Sequence, residues 1–176
     1  QREQPRMVYI VSPNNPTGVM YTPDEMASLI DVAPNTLFIL DEAYGEFARA
    51  SCLELLGDYR NLVITRTFSK AYGIAGLRVG YAFADGTIVS DMRRIASPKG
   101  VNVMAQIGAI AALEDQEHLN WYVDQVERSK QVIADWAEVH GVPCHLTPAN
   151  FVMMQFEQAP WVVRQLRNAG VYVRDR

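Results

Sequence analysis

Four short segments in the first half of the sequence set polar and ionisable side chains beside apolar runs. In Ser12-Pro13-Asn14-Asn15-Pro16-Thr17-Gly18, two prolines and a glycine restrict the backbone, so the Asn amides are presented at a defined angle. The same residues also suit a rigid turn whose Asn side chains bond their own backbone. Asp41-Glu42-Ala43-Tyr44 offers a carboxylate and, three residues on, a phenol. It equally suits a helix N-cap followed by a packed tyrosine. Glu42 is expected to point elsewhere and receives no role. Thr67-Phe68-Ser69-Lys70 brings an amine flanked by two hydroxyls to the end of an apolar run. Gly73-Ile74-Ala75-Gly76-Leu77-Arg78-Val79-Gly80 carries Arg78 eight residues after Lys70. Its glycines allow close backbone approach, and their spacing does not fit the dinucleotide-binding G-x-G-x-x-G pattern.

Only three of the sixteen basic residues are lysines: Lys70, Lys99 and Lys130. Lys99 sits in a Pro-Lys-Gly turn and Lys130 among charged neighbours in a helical pattern, both ordinary settings for a surface lysine. Lys70 differs, because it follows a run that reads as a buried strand. Taking an amine out of water favours its neutral form, which attacks a carbonyl to form a Schiff base. Arg78 beside hydroxyls suits a phosphate, since its planar fork binds two oxygens at once; a surface salt bridge is the plain alternative. An amide, a carboxylate, a phenol, an amine and a hydroxyl/guanidinium pair together match the needs of pyridoxal phosphate. The amine takes its aldehyde and the anion its ring nitrogen. Hydrogen-bond donors suit its phenolic oxygen, and a cationic cradle suits its phosphate.

Such a set needs a frame that delivers it to one edge. Met7-Val8-Tyr9-Ile10-Val11, Leu37-Phe38-Ile39-Leu40, Leu62-Val63-Ile64-Thr65 and Val79-Gly80-Tyr81-Ala82-Phe83 read as four strands. Near-continuous apolar runs suit a sheet covered on both faces. A helix between the first two starts at Thr22, with Pro23 at its first position and Glu25 completing a capping box. Strand, helix, strand predicts parallel βα units, which bind ligands at the carboxyl ends of their strands. From about Thr87 the pattern turns helical. An Ala-rich helix covers 103–113, and a long amphipathic helix carries Leu119, Tyr122, Val126, Ile133 and Trp136. His140-Gly141 with Pro143 stops that helix. A strand over 150–156, a helix over 161–168 and a last strand at Val171-Tyr172-Val173 follow. The expected fold class is α/β, a mostly parallel sheet with helices on both faces. Residues 1–90 belong to that large domain and 91–176 to a smaller α+β domain.

The chain has 176 residues, of which 49% are hydrophobic and 20% charged, which excludes disorder, collagen and coiled coil. A chain of this length buries about 70% of its unfolded surface. No run reaches the roughly 18 apolar residues of a membrane span. The polar start lacks an apolar signal segment and an initiator Met, and reads as a piece of a longer protein. A net charge of −4 speaks against nucleic acid as a partner. Cys52 and Cys144 match no metal spacing and no disulfide framework, which points to a reducing, cytoplasmic compartment.

The order Asn-Pro-Thr-Gly, Asp-x-Ala-Tyr, Ser-Lys, then Arg at Lys plus eight resembles the fold-type I aminotransferases, and most of all their histidinol-phosphate branch. The resemblance covers nearly the whole chain. It implies that Lys70 is the Schiff-base lysine and that Asp41 keeps the pyridine nitrogen protonated. It implies that Tyr44 and Asn15 bond the phenolic oxygen, that Thr67 and Arg78 bind phosphate, and that Ser69 assists beside the lysine. Arg174 is the candidate substrate contact. An amino donor and a 2-oxo acid are the implied substrates, and a homodimer the implied assembly. The implied reaction is histidinol-phosphate:2-oxoglutarate amino transfer in histidine biosynthesis. An aromatic or general amino-acid aminotransferase, a phosphothreonine decarboxylase, or a non-catalytic interaction module are the alternatives. Family members are about twice as long, and their other half supplies further strands, another phosphate-binding loop and an aromatic ring stacked on the cofactor.

Overall fold

A computed structural model of the chain describes residues 5–97 and 100–175; Lys99 lies outside them. The first three apolar runs become parallel strands β1 (Met7–Val11), β2 (Leu37–Asp41) and β3 (Leu62–Thr67). The fourth, β4 (Gly80–Ala84), completes the sheet in the order β1-β2-β3-β4. Val11 pairs with Asp41 and Asp41 with Thr65, so the carboxyl ends of the parallel strands open on one edge. β4 runs antiparallel to β3, with Thr67 opposite Gly80. A parallel return takes a crossover of a dozen or more residues, usually through a helix. The connection over 68–79 holds only a 3-10 turn at Ala75–Leu77, so the chain folds straight back.

The helix α1 (Pro23–Val32) starts at the expected capping box. Thr22 Oγ1 accepts from the Glu25 amide, and Glu25 Oε2 accepts from the Thr22 amide at 2.8 Å. Met26 and Ile30, one turn apart, bury against Phe38, Leu40, Leu62 and Ile64 from alternate positions of β2 and β3. A 3-10 turn at Leu53–Gly57 closes this core with Leu55. Among the described residues β1 lies at the sheet edge, and its side chains Met7 and Tyr9 are 55% and 56% exposed.

A short helix α2 (Gly45–Ala48) follows β2, and α3 (Gly86–Ile95) follows β4 and spans residue 90. The rest of the chain is α4 (Val103–Glu114), α5 (Gln116–Val139), an antiparallel pair β5 (Cys144–Leu146) and β6 (Val152–Met154), and α6 (Ala159–Asn168). α5 ends at His140, with Gly141 at φ 64°. The strand expected over 150–156 shortens to β6. Val171-Tyr172-Val173 forms no strand, since no partner strand lies beside it among the described residues. Gly108 of α4 packs on Leu77, where an added Cβ would come within 2.6 Å of Leu77 Cδ1. A second core of Tyr44, Phe47, Ala71, Leu119, Val123 and Ala149 joins the carboxyl edge of the sheet to α5.

Candidate active site

Tyr44 stands at the centre of the sheet edge. Its ring is buried in the second core, while its hydroxyl accepts a 3.0 Å hydrogen bond from Asn15 Nδ2. Asn15 comes from the loop after β1 and Tyr44 from the loop after β2, so parallel pairing of the strands brings the two loops together. In the Asn15 loop, Asn14 makes the turn's own bonds: its carbonyl accepts from the Gly18 amide at 2.7 Å and its Oδ1 from Thr17 Oγ1 at 2.9 Å. Asn15 is thereby free to reach across. Lys70 Nζ lies 5.2 Å from the centroid of the Tyr44 ring. Ala71, beside Lys70, is 2% exposed and anchors the lysine's backbone to the same core as Tyr44. Asn15, Tyr44 and Lys70 thus form one group from three separate loops.

Asp41 ends β2. Its Oδ1 accepts from the Ala43 amide at 3.0 Å, and its Oδ2 accepts a short hydrogen bond from the Tyr9 hydroxyl. That bond, with the nearby negative charge, pushes the Tyr9 phenol up to about 12. Tyr9 was hidden from sequence reasoning inside an apolar run. The available signal was parity: Tyr9 lies two residues before Val11, the register partner of Asp41, and so on the same face. Glu42 does point away, into the protein. It is 2% exposed, accepts from the Cys52 amide at 2.7 Å and pairs with Arg66 Nη2 at 2.8 Å. Glu46 faces the same guanidinium at 3.7 Å.

Thr67 and Ser69 shape the turn that presents Lys70: Thr67 Oγ1 accepts from the Ser69 amide at 3.1 Å, and the Gly73 amide closes on the Lys70 carbonyl at 3.0 Å. Arg78 is exposed at the same edge, two residues before the Gly80 that pairs with Thr67. Its backbone is left-handed at φ 54°, and its Nη1 donates to the Ala75 carbonyl at 3.1 Å. No hydrogen bond joins it to Thr67 or Ser69. Arg174 is exposed in the irregular segment after α6, without a hydrogen bond or ion pair to the group. Lys130 corrects the surface reading. It is 5% exposed, donates to the Thr147 carbonyl at 2.7 Å and pairs with Glu127 at 2.6 Å.

A family model described as aminotransferase class I and II matches residues 1–176. The chain belongs to the class I and II aminotransferases. This aminotransferase chain is 39% identical to the histidinol-phosphate aminotransferase of Bacillus subtilis (strain 168), over 98% of its own length and 49% of that protein. It is 36% identical to a dihydroxyacetone phosphate transaminase of Campylobacter jejuni, over 97% of its length and 47% of the relative. The crystal structure of histidinol-phosphate aminotransferase from Sinorhizobium meliloti in complex with pyridoxal-5'-phosphate superposes with a TM-score of 0.88 at 32% identity. That match covers 96% of this aminotransferase chain and 48% of the other. The chain therefore spans about half the length of the curated relatives it matches.

Proposed function

We propose that the chain is part of a pyridoxal-phosphate-dependent aminotransferase acting between histidinol phosphate and 2-oxoglutarate in histidine biosynthesis. The observation that carries the reading is the Lys70–Tyr44–Asn15 group at the carboxyl edge of parallel strands in an aminotransferase chain. The donor chemistry fits the cofactor. Among the described residues no carboxylate pairs with the Lys70 amine, and each Asp41 oxygen takes one hydrogen bond and keeps further lone-pair sites. Lys70 would hold the aldehyde carbon, Asp41 the ring nitrogen, Asn15 and Tyr44 the phenolic oxygen, and Thr67, Ser69 and Arg78 the phosphate.

When bound, the cofactor supplies an electron sink for charge that develops at the substrate's α-carbon. The chain's own residues do the rest. Freed from the aldehyde carbon when the donor's amine takes its place, Lys70 Nζ would take the proton from that α-carbon and deliver it to the aldehyde carbon. The Asp41 carboxylate favours a proton on the ring nitrogen beside it. Asn15 donates to the Tyr44 oxygen, which leaves the tyrosine's own proton free to be offered outward. Arg174 is proposed as a substrate contact on the family resemblance.

The same reading includes a homodimer in the cytoplasm with no nucleic-acid or membrane partner. No helix among the described residues is long and apolar enough to cross a membrane. It also includes a division into a cofactor-binding part over 1–90 and a small domain over 91–176. The test is glutamate formation by the intact protein supplied with histidinol phosphate and 2-oxoglutarate. Carbon dioxide release from phosphothreonine without glutamate would replace the reading with a decarboxylase. Amino transfer between glutamate and dihydroxyacetone phosphate, without turnover of histidinol phosphate, would move the substrate.

A further inference from the structure

We infer that Lys130 is a positioning residue for the site: its buried amine fastens the 147–151 segment, which braces both the Asn15 loop and Tyr44. The inference rests on the proposed function for what the site binds, and on geometry for the brace itself. A lysine amine taken from water is costly unless it is paired and hydrogen-bonded. Lys130 meets both conditions, with Glu127 one turn away on α5 and the Thr147 carbonyl seventeen residues along the chain.

From Thr147 the connection runs toward the site on two routes. Thr147 Oγ1 donates to the Phe151 carbonyl and accepts from the Ala149 amide, which closes the segment on itself. On the first route, Gly18 ends the Asn15 loop at φ +73°, and an added Cβ there would sit 2.6 Å from Thr147 Cβ. The segment and the loop therefore touch backbone to side chain, with no room between them. On the second route, the Phe151 ring meets the Tyr44 ring edge to face, with centroids 5.6 Å apart. The Asn15–Tyr44 hydrogen bond lies where the two routes converge. An open cleft of about 280 Å³ runs along α5 beside Lys130, Tyr122, Ile133 and Phe151. Packing is incomplete there, and the polar attachment by Lys130 adds to the apolar contact that Ala149 makes with Leu119 and Val123 of α5.

The test compares the intact parent protein with Lys130→Met, Lys130→Arg and Phe151→Leu. Two quantities are read: the dissociation constant for pyridoxal phosphate, and the side-chain amide resonance of Asn15 in the cofactor-free protein. Lys130→Met keeps the length and apolar stem but cannot donate. It should weaken cofactor binding about tenfold, the scale of one lost hydrogen bond from a charged group, and move the Asn15 resonance. Lys130→Arg retains donors and should restore both. Phe151→Leu cuts only the Tyr44 route and should shift both in the direction of Lys130→Met. An unchanged constant and an unmoved Asn15 resonance in Lys130→Met would overturn the inference, even if the variant melts earlier. Should Lys130→Met fail to fold, the same pair of unchanged readings in Phe151→Leu overturns it. If the parent binds no pyridoxal phosphate, the functional reading fails, and the Asn15 resonance alone decides the brace.

Discussion

The Tyr9 hydroxyl donates to Asp41 Oδ2 across the β1–β2 pair. The two side chains share one face of the sheet, and the tyrosine reaches forward along its strand to the carboxylate at the end of the next. An exposed edge residue is thus tied to the carboxylate proposed for the ring nitrogen.

That bond has a measurable titration. Tyr9 should ionise near pH 12, and Asp41→Asn should return it toward its ordinary value of 10, as read by ultraviolet difference absorbance. A raised pKa in the folded state means that the contribution to stability is complete below pH 10 and is lost as pH climbs toward 12. In the intact enzyme, Asp41→Asn should cost turnover far more than cofactor affinity, since the unpaired ring nitrogen can shed its proton. Wild-type turnover in Asp41→Asn would contradict the role.

Lys70 should be the residue that borohydride labels in the presence of pyridoxal phosphate, found by peptide mapping. Lys130 should stay unlabelled, because its amine is buried and held by Glu127 and Thr147. Lys70→Ala should slow amino transfer by roughly 10²–10⁴-fold or more, the range for a positioned proton-transfer group. Label on Lys99 or Lys130 would remove Lys70 from the mechanism.

Arg78 allows stability and affinity to be separated. Its φ of 54° is a left-handed conformation that costs a non-glycine residue roughly 1–2 kcal/mol. Arg78→Gly adopts that backbone freely, so its melting temperature should stay near the parent's while pyridoxal phosphate affinity drops. Arg78→Lys keeps the charge but loses the fork, and should also bind more weakly. An unchanged cofactor affinity in Arg78→Gly excludes Arg78 as a phosphate ligand.

Glu46 should make the fold weaker as pH rises. Burial pushes its carboxyl above the ordinary value of 4.5, against the opposing pull of Arg66. The folded state then binds the proton more tightly than the unfolded one, so this stability is present below 4.5 and is lost through the raised folded pKa. Glu46→Gln removes the titration while Arg66 keeps Glu42. Melting curves across pH should show the variant gaining on the parent toward neutral pH, with the gap closing in acid. A gap that is constant with pH would show that Glu46 does not titrate in this range.

The placement of Asn15, Asp41, Tyr44 and Lys70 at one sheet edge was legible because each follows an apolar run closely, and parallel strands deliver such residues to one edge whatever the details of packing. Tyr9 was not, because its partner is set by strand register, a long-range property with no local signature. The burial of Lys130 was invisible for a related reason. Its helical neighbours are charged, and the carbonyl it satisfies belongs to a turn that packs back on the helix only in the finished fold. The direction of β4 turned on a negative feature, the lack of a helix in the connection before it. The apolar run at Val171-Tyr172-Val173 has strand composition but no strand to pair with among the described residues, and composition alone does not form a ladder.

The contact of Thr147 with Gly18 orders events in time as well as in space. On the ribosome the chain emerges from its amino end, so Asn15, Tyr44, Lys70 and Arg78 are all available while residue 147 has yet to be added. At about 5–20 residues per second, the stretch from Arg78 to Thr147 occupies on the order of several seconds of translation. Through that interval Lys70, the lysine proposed to take the aldehyde, has neither clamp on the Asn15 loop nor ring against Tyr44. The bracing of the Asn15 loop and of Tyr44 is therefore a late event of synthesis, reached only once a distant turn has been made and seated.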